Sequence, residues 1–354
     1  MFRKHPVPVL VPSAEPVFSC PVTHDQVAWM SENVYNPSAV VKDGQLHLFY
    51  RADSPYGEGL DDVGNRKMTC RIGHAVSDDG IHFRPFTEPV LYPDNDEYLP
   101  FEWWGGCQDL HIVEGQDGRY YMNYDGWSGI YDGRYEYGHC PTDPIQDVLL
   151  TAVSEDLTHW RKMGPAFPEA YRSLWNHSRS GTVICRLRDN RLIAEKIDGK
   201  YWMYMSHRGY LAFPEDLIHW KPILREDGCP ACLFSEYPAL SYCGCSCEAG
   251  TAAIITTNGI YYGFNALSQH GEAWSLGAAL IDKQSLLHVL NIEPEPYLQP
   301  EYIWERHGHC GCPATVCNTV VWFANEWRIY YGAADHVIGM ATWDEGTEFP
   351  PVHS

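Results

Sequence analysis

One strand pattern occurs five times along the 354-residue chain, and it limits the possible folds more than any other feature. The copies are DGQLHLFY at 43–50, DGRYYMNY at 117–124, DGKYWMYM at 198–205, NGIYYGFN at 258–265 and NEWRIYYG at 325–332. Each opens with Asp or Asn in a turn, usually followed by Gly, and continues as a run of β-formers. A second strand follows each of the first: IGHAVS at 72–77, LLTAVS at 149–154, YLAF at 210–213, LGAALID at 276–282 and VIGMAT at 337–342. Small residues dominate these second strands, as expected where strands crowd together near a propeller axis. A small antiparallel sheet repeated five times cannot bury its faces alone, so the repeats must stack and close. The expectation is an all-β, five-bladed β-propeller spanning residues 1–354 as a single domain. The repeats are longer than the ~40–50 residues of familiar propeller repeats. Their surplus falls in loops 84–108, 125–147 and 161–190, which are expected to wall an active site.

Three of the second strands run into the same turn, SDDGIHF at 77–83, SEDLTHW at 154–160 and PEDLIHW at 214–220. Asp79, Asp156 and Asp216 are expected to cap backbone amides there, and the closing aromatic to pack between blades. These aspartates read as structural rather than catalytic.

Composition narrows the partner. The net charge of −21 excludes nucleic acid and suits no anionic membrane, whereas a neutral substrate fits well. No apolar run is long enough to span a bilayer, and prolines break the apolar stretch near residue 10, so a cytoplasmic protein is expected. Thirteen cysteines without an export signal read as reduced thiols. Cys229, Cys232, Cys243 and Cys245 have the ligand grammar of a zinc site, with buried structural thiols as the alternative.

Acid–base chemistry on a neutral substrate needs a carboxylic acid placed where backbone freedom and polar residues coincide near an inner strand. The best place for such an acid is FEWWGGCQDLHIVE at 101–114, where Gly105 and Gly106 permit a sharp approach and Asp109 enters a strand. A turn-capping Asp is the alternative reading of the same local features.

The ordered series NPSAVV…LFYRAD, CRIGHAVSDDGIHF, GGCQDLHI, VSEDLTHW, GKYWMYM, EAGTAAIITTNGI, LGAALID and RIYYGAADHVIGMA resembles glycoside hydrolase family 130, from about Asn36 to Ala341. The resemblance implies a five-bladed propeller and an inverting β-mannoside phosphorylase or β-mannosidase. The family's acid is the Asp of a Gly-x-Glu-Asp-Pro-Arg motif. Asp109 holds that place here, but its surroundings read Gln108-Asp109-Leu110-His111. The resemblance further implies that Arg51, Asn36, Arg71 and Asp335 hold the sugar. For Arg51 and Arg71 the alternative is a rim salt bridge.

The nucleophile separates two designs. A phosphorylase must gather cations around phosphate, and Arg179, His207 and Arg208 are the candidates. A hydrolase needs a carboxylate base for water, and Glu248 in CEAGTAAIITT and Glu305 in YIWERHG are the candidates. The segments SRSGTVI at 178–184, GKYWMYM and GPAF at 164–167 look more like the hydrolytic branch. The expectation is therefore a β-mannosidase using water and no cofactor, with a phosphorylase consuming inorganic phosphate as the alternative. A carbohydrate-binding propeller without catalysis is a third reading, motivated by the altered neighbours of Asp109.

Overall fold

The computed structural model describes residues 2–60, 66–128, 147–172, 174, 178–214, 216–343 and 349. Much of the anticipated 125–147 loop therefore lies outside the described residues. The described chain is nearly all strand, with helices confined to the single turns Leu99–Glu102, Glu169–Arg172 and Ile303–Arg306.

All five DG-type segments form strands, and each pairs antiparallel with the small-residue strand after it. Each is also preceded by a further strand, which completes a meander. The first runs Asn33–Lys42, Gln45–Leu60, Arg66–Ser77 and Arg84–Pro85. The second runs Gly106–Glu114, Tyr120–Trp127, Asp147–Ser154 and Arg161–Pro165. The third joins Gly181–Arg188, Met203–Met205, Tyr210–Pro214 and Trp220–Pro222. The fourth sets Ser246–Ala249 and Ala253–Ile255 against Ile260–Leu267, followed by Trp274–Ile281 and Val289–Ile292. The last links Thr315–Phe323, Glu326–Ala333 and Val337–Trp343, and the early strand Arg3–Lys4 pairs along its outer edge.

The inner position does not belong to the small-residue strands, contrary to the sequence expectation. One cavity is lined by Ala39–Val41, His111–Glu114, Gly181–Val183, Cys185, Asn190–Leu192, Ala252 and Asn318–Trp322, so the first strand of four meanders and the break in that of the fourth in chain order face it. The small residues have a different cause. Gly73, Gly277 and Gly339 each stand opposite an aromatic residue of the middle strand, namely Tyr50, Phe264 and Tyr331. That ring folds across the glycine, and a Cβ at any of the three would overlap it.

Neighbouring meanders pack face to face through the period-2 alternation of their strands. Leu46, Leu48 and Tyr50 turn toward Val321, Phe323, Tyr330 and Met340 of the last meander. Phe49 turns the other way, into a cluster with Leu110, Met122, Tyr124 and Leu150 of the second. Burial of each such side chain contributes about 1.5–3 kcal/mol, so the stacking of meanders outweighs any one ladder.

The repeated turns behave as their sequence predicts. Asp156 Oδ1 accepts the backbone N–H groups of Thr158 and His159, both at 2.8 Å, and Oδ2 meets His159 Nδ1 at 2.7 Å. Asp79 and Asp216 repeat this arrangement with His82 and His219. The closing aromatics cross between meanders: Phe83 meets Tyr330 edge-on at 5.7 Å, and Trp160 meets Phe49 likewise at 5.7 Å.

Candidate active site

The inner strands are interrupted at one level, and the site is built there. The pairing register slips between Tyr35 and Ser38, between Gln108 and His111, and between Cys317 and Thr319. Such bulges re-aim a side chain out of the regular alternation. Asn36 and Asp109 sit in two of them with φ of 44° and 40°, a conformation that Asn and Asp tolerate better than most residues. The glycines before Asp109 serve a close approach. Gly106, at φ 100°, lies against the Cys70 backbone, and Gly105 O accepts the Cys70 N–H at 2.9 Å.

Asp109 is buried and held by three partners. Asn36 Nδ2 donates to its Oδ1 at 2.7 Å, Arg51 Nη1 lies 3.4 Å from the same oxygen, and Arg179 Nη2 pairs closely with Oδ2. Burial alone would raise its pKa, but Arg179, Arg51 and the Asn36 amide outweigh burial and bring it to about 2. Arg51 is oriented in turn by Asp53 at 3.3 Å and lies 4.5 Å from the centre of the Tyr35 ring. Tyr35 donates its hydroxyl to Asp53 at 2.8 Å.

Arg179 is the hub of the opposite wall. Besides Asp109 it faces Asp125 at 3.5 Å, Glu248 at 3.7 Å and Asp147 at 4.0 Å. Burial disfavours its charge, and these four carboxyl groups more than offset that. Burial pushes Glu248 up to about 7, with Asp109, Asp335 and Asp147 adding to the rise and Arg179 opposing it. Asp335 is raised to about 6 by burial and by Asp109, against the pull of Arg51 and the nearby His309. Asp125 accepts the Ser180 N–H at 3.1 Å, and burial together with Asp109 and Asp147 drives its pKa well up.

The structure thus gathers Asn36, Arg51, Asp109, Arg179, Glu248 and Asp335 and leaves four expected residues elsewhere. Arg71 neighbours Cys70 in its strand and so points to the other face, where it reaches Ser54 Oγ at 2.8 Å and lies 5.8 Å from the centre of the Phe18 ring. Glu305 is fully buried at the turn Ile303–Arg306. It accepts from the Tyr302 N–H at 2.8 Å and the Tyr331 hydroxyl at 2.7 Å, and pairs with Lys4 at 2.8 Å. These contacts tie it to the early strand and to the last meander. Arg208 donates to the Ser235 carbonyl at 2.8 Å and lies 4.9 Å from the centre of the Tyr237 ring, while His207 Nδ1 meets Ser246 Oγ at 3.3 Å. Arg208 is thus committed to residues 235–237, and His207 to the strand carrying Glu248.

Sequence reading missed Asp53, Asp125 and Asp147. Asp53 stood two residues from Arg51, hence on the same strand face, and that spacing was a usable signal. Asp125 and Asp147 offered none, because only the pairing of their strands brings them to Arg179. Among the described residues no group of three or more His, Cys, Asp or Glu is placed to hold a metal. Of the proposed zinc thiols, Cys229 and Cys245 are exposed and Cys243 is buried beside Cys247.

The model of glycoside hydrolase family 130, described as β-1,4-mannooligosaccharide phosphorylase, matches residues 3–347. The chain belongs to this family. It is 30% identical to a 1,2-β-oligomannan phosphorylase of Thermoanaerobacter sp. (strain X514), with 94% of each chain covered. In structure it superposes with a TM-score of 0.86 and 31% identity on a member reported among glycoside hydrolases, within the family of mannoside phosphorylases, that target β-1,2 mannosidic linkages in Candida mannan; the match covers 99% of this chain and 96% of that one. A glycosyl hydrolase from Bacteroides ovatus gives the same TM-score and identity over 100% and 97% of the two chains. Family membership makes the chain a glycoside-active enzyme. The curated relative favours phosphorolysis, the alternative of the sequence reading, over hydrolysis. No described helix is long and apolar enough to cross a membrane.

Proposed function

We propose that the chain cleaves β-1,2-linked mannosides with inversion, using Asp109 as proton donor and Glu248 as the base that activates water. The five meanders are on this reading the blades of one five-bladed propeller, a single domain over residues 1–354. The β-1,2 linkage follows the names of the relatives at 30% and 31% identity. The observation that carries the choice of water is the surrounding of Arg179. Among the described residues six carboxyl groups, Asp53, Asp109, Asp125, Asp147, Glu248 and Asp335, surround two arginines, Arg51 and Arg179, with His309 near Asp335. A phosphate dianion entering beside them meets net negative charge, whereas a carboxylate titrating near 7 is suited to a general base at neutral pH.

The acid must gain a proton before it can act. With Arg179 in place Asp109 stays ionised at neutral pH. A sugar that separates the pair leaves Arg179 with Asp125, Asp147 and Glu248, and burial then lifts Asp109 toward the protonated form. Arg51 and Asp335, at opposite charge and adjoining positions, offer the donors and acceptors that fix sugar hydroxyls.

Phosphorolysis is the second reading, supported by the activity named for the curated relative. There phosphate itself would draw Arg179 off Asp109. Incubation with β-1,2-mannobiose, with and without phosphate, decides between them. Free mannose at a rate indifferent to phosphate is expected. Mannose 1-phosphate, formed only when phosphate is added, would replace hydrolysis by phosphorolysis, and sugar binding without turnover in both buffers would leave a lectin.

A further inference from the structure

The segment His307-Gly308-His309-Cys310-Gly311-Cys312 carries chemistry that the cleavage reaction does not use. Its two thiols, both half-buried, stand with their sulfurs 3.6 Å apart. Gly311 between them has no heavy atom near the place a Cβ would occupy, so the backbone is free to tighten there. The loop is also tied to the site. Cys310 N–H donates to Ala334 O at 3.0 Å, and Gly308 packs against Ala334 and His336. Ala334 and Asp335 are successive left-handed residues at φ 48° and 52°, so the direction of the Asp335 carboxyl depends on this support. We propose that Cys310 and Cys312 are a reversible modification site for small disulfides, and that closing their bond weakens sugar binding through Asp335. The effect on binding rests on the mannoside reading, while the thiol chemistry does not.

Either thiol can donate across the 3.6 Å contact; with Cys310 as the donor the Cys312 pKa is lowered, which makes Cys312 the attacking group. Its thiolate attacks one sulfur of glutathione disulfide and expels a glutathione thiolate. The Cys310 thiol loses its proton and attacks Cys312 in the mixed disulfide, expelling the second glutathione thiolate. Two cysteine sulfurs are oxidised by two electrons in all, one glutathione disulfide is reduced, and the two thiol protons pass to the leaving thiolates. A ring closed across one intervening residue and open to solvent belongs to the readily reduced kind. Closure draws the loop inward and shifts the carbonyl it supports at Ala334, and with it Asp335.

The test treats the full chain with glutathione disulfide and maps the products by peptide mass. Loss of two hydrogens within residues 310–312 is expected, with KM for the mannoside raised roughly 5- to 10-fold, the weight of about one hydrogen bond, and both reversed by dithiothreitol. Cys310→Ser should instead retain glutathione on Cys312, and the double Cys310→Ser, Cys312→Ser variant should hold its KM under oxidation. Thiols at 310 and 312 that stay unreacted, or a wild-type adduct that never closes, would overturn the site. Closure with unchanged KM would overturn its coupling to Asp335. Absence of turnover in the reduced chain would count against the mannoside reading, and the mass map would then decide the disulfide alone.

Discussion

Burial raises Glu248, while Arg179, Arg51 and the Asn36 amide hold Asp109 down, and these opposite shifts define what substitutions should do. Glu248 is raised to about 7 from an ordinary value of 4.5. Its stabilising, protonated form is fully present below 4.5 and lost as pH rises through 7, so the free enzyme gives up stability across that window. Glu248→Gln should therefore abolish hydrolysis yet raise stability at pH 8 by about 1–3 kcal/mol, with little gain at pH 4.5. Thermal melts of the two proteins at both pH values check this, and equal gains at both would deny the shift. In the wild type kcat/KM should climb with pH through about 7 as the base ionises. Asp109→Asn should cost at least ~100-fold on β-1,2-mannobiose but less on an aryl β-mannoside, whose phenol leaves without a proton. Equal losses on the two substrates would make Asp109 a positioning residue. The sequence exposed Asp109 because two glycines and a bulge-tolerant residue coincide locally. It could not separate Glu248 from Glu305, since both stand beside aromatic or glycine-rich segments and only their distant partners differ. Arg71 misled for a related reason: one step along a strand reverses the face, and the register was not readable.

Strands and turns were the most legible elements, because their signals are confined to a few residues. The Asp of the repeated turn binds amides two and three positions ahead, so its partners lie inside the motif itself. Asp156→Ala should lower stability by about 1 kcal/mol, as loss of an amide-capping side chain does elsewhere, with kcat unchanged. A fall in kcat for the folded variant would give the turn a part in catalysis. The inner strands were harder to read. NVYNPSAVVK carries a proline and a bulge, which hide its alternation, and the fourth inner strand is split around Gly250–Ala252. The small-residue strands were recognised for a wrong reason. Their glycines make room for a tyrosine or phenylalanine ring across the ladder, a pairing visible only once the register Tyr50–Gly73 or Tyr331–Gly339 is known.

Across the whole molecule, the first and last segments of the described chain meet at one seam, and that seam rests on a buried ion pair. Arg3 and Lys4 pair with Thr342 and Ala341, and the His5 and Val9 N–H groups continue the contact to Met340 and Ile338. Lys4 then reaches Glu305, which the Tyr331 hydroxyl and the Tyr302 N–H also satisfy. Removing one partner of such a pair leaves an uncompensated charge and typically costs about 3–5 kcal/mol. Lys4→Ala should therefore lower the melting transition, because the first and last meanders pack against each other beside this seam. Glu305→Gln keeps the shape and the Tyr331 contact but leaves the buried Lys4 charge without its partner, so it should lower the transition by a comparable amount. The folded fraction of both variants should cleave mannoside with the wild-type kcat, in contrast to Glu248→Gln, which should be stable and inactive. This pairing of outcomes separates a structural carboxylate from a catalytic one better than activity alone, since a destabilised enzyme also loses activity by unfolding. Calorimetry alongside active-site-normalised rates provides the check. A Glu305→Gln protein that melts like the wild type but turns over nothing would move the base from Glu248 to Glu305 and require the seam to open onto the site.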